Sequence, residues 1–166
     1  MQTAVRTFAL VLLCACGGDD RETPRLILER HSCLGTCPSY ELVIEPDGRV
    51  TYAGAGYSST LNPQPGAFRR DSTRLVARDA ERLRAAFDRA WSTWWPNQFV
   101  PWRRFTCPVW NTDASGLTIV RERTSRSDTL KVYDACPFIP RRIRRLGVHI
   151  DSVVGVQRWL GPAPPR

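Results

Sequence analysis

The stretch Cys33-Leu34-Gly35-Thr36-Cys37-Pro38-Ser39-Tyr40 constrains this chain more than any other. Two cysteines four positions apart, with a glycine between them and a proline behind them, can be tied only across a tight bend. An alternating run begins at once. Tyr40, Leu42 and Ile44 fall on one face of a strand, with Glu41, Val43 and Glu45 on the other. Pro46-Asp47-Gly48 then reads as a hairpin turn, because proline presets φ and glycine takes the left-handed position. Val50 and Tyr52 continue the apolar face of the returning strand, which is expected to end in a turn at Gly54-Ala55-Gly56. The motif is the clasp that launches the main hairpin.

The remaining elements arrange themselves around it. Arg25-Leu26-Ile27-Leu28-Glu29-Arg30 reads as a first strand, and residues 57–70, with two prolines and a glycine, as a loop. Asp71 or Ser72 is expected to cap a long helix whose stripe is Leu75, Val76, Leu83, Phe87, Trp91 and Trp94, ended by Pro96. Residues 97–113 read as irregular. Leu117 to Arg121 and Thr129 to Tyr133 form a second hairpin around a polar turn. A helix over 138–146 is expected to stop at Gly147, and another from Asp151 to Leu160 at Gly161-Pro162. This order predicts an α+β fold, disulfide-stabilised: a mostly antiparallel sheet of two hairpins plus an N-terminal strand, with the long helix and the C-terminal helices packed on one face. The expected domain is residues 25–161, followed by a tail at 162–166.

The first residues set the compartment. Arg6 and the apolar run Phe8 to Leu13 have the build of an export signal over residues 1–15, too short to span a bilayer. Leu13-Cys14-Ala15-Cys16 resembles the lipobox of bacterial lipoproteins, with Cys16 as the lipidated residue and a cysteine where a small residue usually stands. Acyl chains on Cys16 would anchor the chain to a membrane, each buried CH₂ contributing about 0.8 kcal/mol. Residues 16–24 read as a tether. Gly17 stands where an aspartate would retain such a lipoprotein in the inner membrane, so the expected location is the outer membrane, facing the periplasm. The formal charge of +8, carried by arginine apart from Lys131, would suit nucleic acid in a cytosolic protein. In an exported one the expected anionic partners are lipid headgroups or polysaccharide, not nucleic acid.

The clasp, the alternating strand, the Pro-Asp-Gly turn and Val50-Thr51-Tyr52-Ala53-Gly54 together resemble an uncharacterised domain of bacterial exported proteins and lipoproteins, domain of unknown function 6438. The resemblance runs from about Leu26 to Leu160, with Thr112-Asp113 and Cys136-Pro137 as looser landmarks. It implies an exported α+β domain and carries no activity with it.

Beyond Cys16 the exported chain holds Cys33, Cys37, Cys107 and Cys136, which read as two disulfides with three connectivities open. A Cys33–Cys37 bridge would contribute about 2 kcal/mol and a Cys107–Cys136 bridge about 3.5 kcal/mol by loop entropy. Set against this is a metal or redox site of His31, Cys33, Cys37 and a later cysteine or His149. The spacing argues against redox work, which favours two intervening residues at a helix start. Ser32 or Ser39, a histidine and Asp113 or Asp151 would make a triad only by choice, since no nucleophile elbow frames either serine. No metal or cofactor motif is present. The tryptophans point to binding instead: five of six lie between Trp91 and Trp110, among arginines. Trp95, Trp102, Arg103 and Arg104 are the candidate contacts for an envelope protein or polysaccharide. Arg141, Arg142, Arg144 and Arg145 form a dense basic cluster whose anionic partners in an envelope would be lipid headgroups or polysaccharide phosphates; the favoured reading is that they complement the negative end of a short helix closed by Gly147. The expected function is binding or scaffolding rather than catalysis.

Overall fold

The strand expected at residues 25–30 lies at the centre of the molecule. In the computed structural model, which describes residues 22–34, 37–58, 68–91, 96–101, 107–108 and 113–161, it is β1 (Arg25–His31). On one side it pairs with β2 (Cys37–Ile44), which turns into β3 (Arg49–Ser58) and then β4 (Arg69–Arg74). On the other it pairs with β6 (Gly116–Glu122), followed by β7 (Ser127–Tyr133) and the two-residue β5 (Gln98–Phe99). The order β4-β3-β2-β1-β6-β7-β5 is antiparallel except where β5 runs parallel to β7. Among the described residues three helices accompany the sheet: α1 (Ala77–Ala90), α2 (Arg141–Val154) and α3 (Gln157–Leu160).

Strand alternation decides which face is covered. Leu26, Leu28, Tyr40, Leu42, Ile44, Val50, Tyr52, Leu117, Ile119, Leu130 and Val132 join one buried cluster with Leu83 and Phe87 of α1, Ile143, Leu146 and Ile150 of α2, and Trp159 of α3. The helices therefore share one face of the sheet, as their apolar stripes require. Burying side chains of this size stabilises by about 1.5–3 kcal/mol each. The Pro46–Gly48 turn forms as read: Gly48 has φ 82° and donates its N–H to the Glu45 carbonyl at 3.0 Å.

Four boundaries differ from the sequence reading. Asp71 and Ser72 lie in β4 and do not cap a helix, because β3 has a free edge against which Tyr52 pairs with Asp71 and Thr51 with Ser72. Extended pairing there outweighs a local cap preference. The helix starts at Ala77 after an exposed Val76, and Trp91 is already extended, so it ends well before Pro96. Gly54-Ala55-Gly56 is no turn: β3 continues through a bulge opposite Ser39 and Tyr40, and residues 57–58 and 69–70 of the expected loop are strand. A Cβ on Gly54 would fall 2.4 Å from the Tyr40 Cβ and 2.7 Å from the Ser39 carbonyl oxygen, so the bulge requires glycine.

The fourth difference is Gly147, which lies inside α2 instead of ending it. A Cβ there would come within 2.6 Å of Leu117 Cδ2 and 3.1 Å of Arg30 Nη2, so glycine lets the helix lie close on β1 and β6. The helix stops at Gly155, whose φ of 70° is the left-handed cap. Within the stretch read as irregular, Gln98 and Phe99 add the short β5, and the Lys131 N–H donates to the Asn97 carbonyl at 2.9 Å.

Candidate functional site

The four cysteines of the domain form two bridges. Cys33 joins Cys37 with Cα atoms 5.7 Å apart, and Cys107 joins Cys136 at 4.8 Å. The first closes the bend before β2; the second ties the stretch after β5 to the turn after β7. Bonded to each other, the Cys33 and Cys37 sulfurs present no thiolate for a metal to bind. His31 and His149 do not meet either: His31 lies on the face of the sheet opposite the helices, and His149 is exposed on α2 in the helical layer. Among the described residues, no three His, Cys, Asp or Glu side chains gather as a metal site.

Two ionic clusters on the helical side were not foreseen. Tyr40 Oη donates to Asp151 Oδ1 at 2.6 Å, and Arg30 Nη2 donates to Asp151 Oδ2 at 2.6 Å. Burial and then the Asp151 charge push the Tyr40 phenol well above its ordinary range, so it stays a neutral donor. This cluster latches α2 onto β1 and β2. At the opposite end, Arg121 on β6 reaches Asp128 on β7 at 2.5 Å and also pairs with Asp88 on α1. Its guanidinium carbon lies 4.9 Å from the centre of the Phe87 ring. Burial opposes ionisation of Asp128, but hydrogen bonds and charge from Arg121 and Arg126 outweigh it and hold the carboxyl below its ordinary range. Both clusters fasten helices to strands. Asp151, one of the carboxylates available to a triad, is committed to this work.

The face of the sheet opposite the helices carries the candidate site. Register places Glu41, Glu29, Thr118 and Lys131 in one row across β2, β1, β6 and β7. His31, two residues on from Glu29, has its Nε2 2.9 Å from Thr118 Oγ1. A hollow of about 500 Å³ opens beside Glu29, His31, Thr118 and Lys131, lined also by Val100, Pro101, Ala114 and Tyr133. The row offers two carboxylates, an ammonium and a hydroxyl, with the His31 imidazole beside it and Ile27, Val43 and Val120 in the next row of the same face. Such a mixture can hydrogen-bond a polar ligand of modest size. Among the described residues no carboxylate bonds the His31 ring, so the Thr118–His31 pair lacks the group that would orient it. Alternation alone marks Glu29, His31, Glu41 and Lys131 as solvent-facing. Their meeting depends on the β1–β6 pairing, which no local pattern encodes.

The other expected residues fall as follows. Cys16, Trp94, Trp95, Trp102, Arg103, Arg104 and Trp110 lie outside the described residues. Trp91 packs on Phe87 with ring centroids 6.0 Å apart, and Trp159 stacks on Tyr52 at 4.9 Å. The reading of Arg141 to Arg145 is overturned. Because α2 runs on to Val154, these arginines stand at its positive end, where the helix dipole opposes them. Among the described residues, Arg144 donates to the Cys136 carbonyl at 2.8 Å.

The model of a family described as Domain of unknown function (DUF6438) matches residues 24–90, the part of the chain that holds β1 to β4 and α1. The matched stretch is shorter than the one over which the sequence was read as resembling that domain. A comparison with curated proteins finds no match.

Proposed function

We propose that this chain is a lipoprotein of the bacterial cell envelope, lipidated at Cys16 after removal of residues 1–15, whose domain faces the periplasm from the outer membrane and binds a partner without catalysing a reaction. The observation that carries the compartment is the pairing of all four domain cysteines into disulfides, which persist in an oxidising environment. The signal-like residues 1–15 and the Leu13-Cys14-Ala15-Cys16 pattern supply the anchor. The row Glu41, Glu29, Thr118 and Lys131 and its hollow supply a surface for a polar ligand, such as an envelope polysaccharide or a segment of an envelope protein. Val100 and Pro101, which line the hollow, directly precede Trp102, Arg103 and Arg104 in the sequence.

Labelling of bacterial cultures with radioactive palmitate tests the anchor. The full chain is expected to take up label and sediment with membranes, and Cys16→Ser to do neither; equal labelling of both would refute it. Titration with envelope polysaccharide fragments, followed by tryptophan fluorescence, tests the surface. Lys131→Ala with Glu29→Gln is expected to weaken binding about tenfold, at roughly 1.4 kcal/mol for the lost contacts. Undiminished binding would remove this face from consideration.

A further inference from the structure

The outer surface of α2 carries a one-signed charge that the fold does not use. Helical periodicity lines up Arg141, Arg145, Val148 and Ser152 along its exposed side, flanked by Arg142 and His149. Among the described residues no carboxylate pairs with Arg141, Arg142 or Arg145. The helix's one acid, Asp151, is turned to Arg30 and Tyr40. Two apolar side chains stand out beside the arginines: Val148 is 63 % exposed, and Phe138, just before the helix, is 60 % exposed. The neighbouring α1 is built differently. Its Arg82 pairs with Asp79, and Glu81 and Asp88 share its surface with Arg78 and Arg89. No acidic residue occupies the first turn of α2, where one would be favoured, and two arginines do. Unrelieved positive charge at that end weakens the helix in isolation, and an anionic surface would relieve it.

We infer that this face of α2 docks on the anionic phospholipid surface of the membrane that holds the chain. Guanidinium groups interspersed with exposed valine and phenylalanine match a headgroup layer, where the charges meet phosphates and the apolar tips enter the acyl boundary. The inference rests on the lipid-anchor reading for its geometry. Eight residues lie between Cys16 and Arg25, a reach of about 30 Å when extended, which keeps the domain near the bilayer at high effective concentration. The anchor would hold the domain at the membrane, and α2 would set which way the sheet face opposite the helices points.

The test uses the full chain carrying Cys16→Ser, so that binding reports on the helix face and not on acyl chains. It is co-sedimented with vesicles of phosphatidylcholine alone and of phosphatidylcholine with phosphatidylglycerol. Binding is expected only to the mixed vesicles, and should decline steeply as salt is raised from about 50 to 300 mM, where screening shortens the range of attraction. Arg141→Glu, Arg142→Glu and Arg145→Glu together should cut partitioning by at least a hundredfold, at about fivefold per arginine removed. The same three positions changed to lysine should retain it, and so should Arg78→Glu with Arg82→Glu on α1. Thermal melting of the glutamate variant should show no loss of stability, since acids at this end suit the helix dipole. Equal binding to neutral vesicles, undiminished binding by the glutamate variant, or retention by phosphorylated polysaccharide but not by mixed vesicles would each overturn the inference. Palmitate labelling reads the anchor separately, so the two readings can fail independently.

Discussion

Asp151→Asn isolates the latch between α2 and the centre of the sheet. The substitution keeps the side chain's shape and removes its charge, leaving Arg30 with no carboxylate and Tyr40 with a weaker acceptor. The Arg30 and Asp151 side chains are only 15 % and 18 % exposed, and Tyr40 is 5 % exposed, so water replaces the lost partner poorly. Breaking a buried pair from one side costs 3–5 kcal/mol, and the residual exposure puts the expected loss at the lower end, about 3 kcal/mol. For a domain of this size that lowers Tm by about 10 °C. Tyr40→Phe, which removes one hydrogen bond to a charged group, should cost about 1.5–2 kcal/mol, and the pair should show coupling of at least 1 kcal/mol in a double-mutant cycle. The triple variant Arg30→Met, Tyr40→Phe, Asp151→Leu should recover most of the loss, because no charge is then left stranded. Urea unfolding of the disulfide-intact protein measures all four. The raised Tyr40 pKa adds a second readout. Its contribution is fully present below the unfolded phenol's pKa of about 10 and is lost as pH rises beyond that, a decline that Tyr40→Phe should remove. A loss below about 0.5 kcal/mol in Asp151→Asn would show that the latch contributes nothing to stability.

Two further outcomes follow from the packing and the charges. Gly54→Ala should destabilise by more than 3 kcal/mol, because the added methyl meets backbone atoms of Ser39 and Tyr40 that cannot swing aside, whereas Ala53→Gly beside it should cost under about 1 kcal/mol; comparable melting temperatures would refute the bulge argument. The depressed Asp128 carboxyl stabilises the fold above its unfolded pKa of about 3.9 and loses that contribution as pH falls through its lower folded value. Asp128→Asn should therefore flatten the acid limb of a stability-against-pH curve and cost about 3 kcal/mol at pH 7; an unchanged acid limb would place the titrating group elsewhere.

The site was partly legible in the chain. Glu29, Glu41 and Lys131 could be assigned to exposed strand positions by counting from their neighbours, and His31 stood out as one of only two histidines. That Glu29, His31 and Lys131 share a hollow with Thr118 could not be read, since β1 and β6 are separated by more than eighty residues and pair by backbone bonds common to any strand. The arginine cluster is visible in the sequence but its place on the helix is not, because Gly147 reads locally as a stop and lies inside α2. Glycine carries the same letter whether it supplies a left-handed cap or makes room for Leu117, and only the packing distinguishes the two.

Taken alone, the chain determined its local elements: the disulfide-tied bend, the Pro-Asp-Gly hairpin, the second hairpin and the helical stripe of Leu83 and Phe87. These depend on side-chain period and turn chemistry within a few residues. Tertiary structure decided what those elements are for. It drew Asp71 and Ser72 from a helix cap into an edge strand and put β1 between two hairpins. It extended α2 past Gly147, so that its arginines face solvent at the positive end of the helix. Each of these outcomes is a contest between a local preference of about 1 kcal/mol and pairing or burial of several, and the larger quantity depends on residues far away in the sequence.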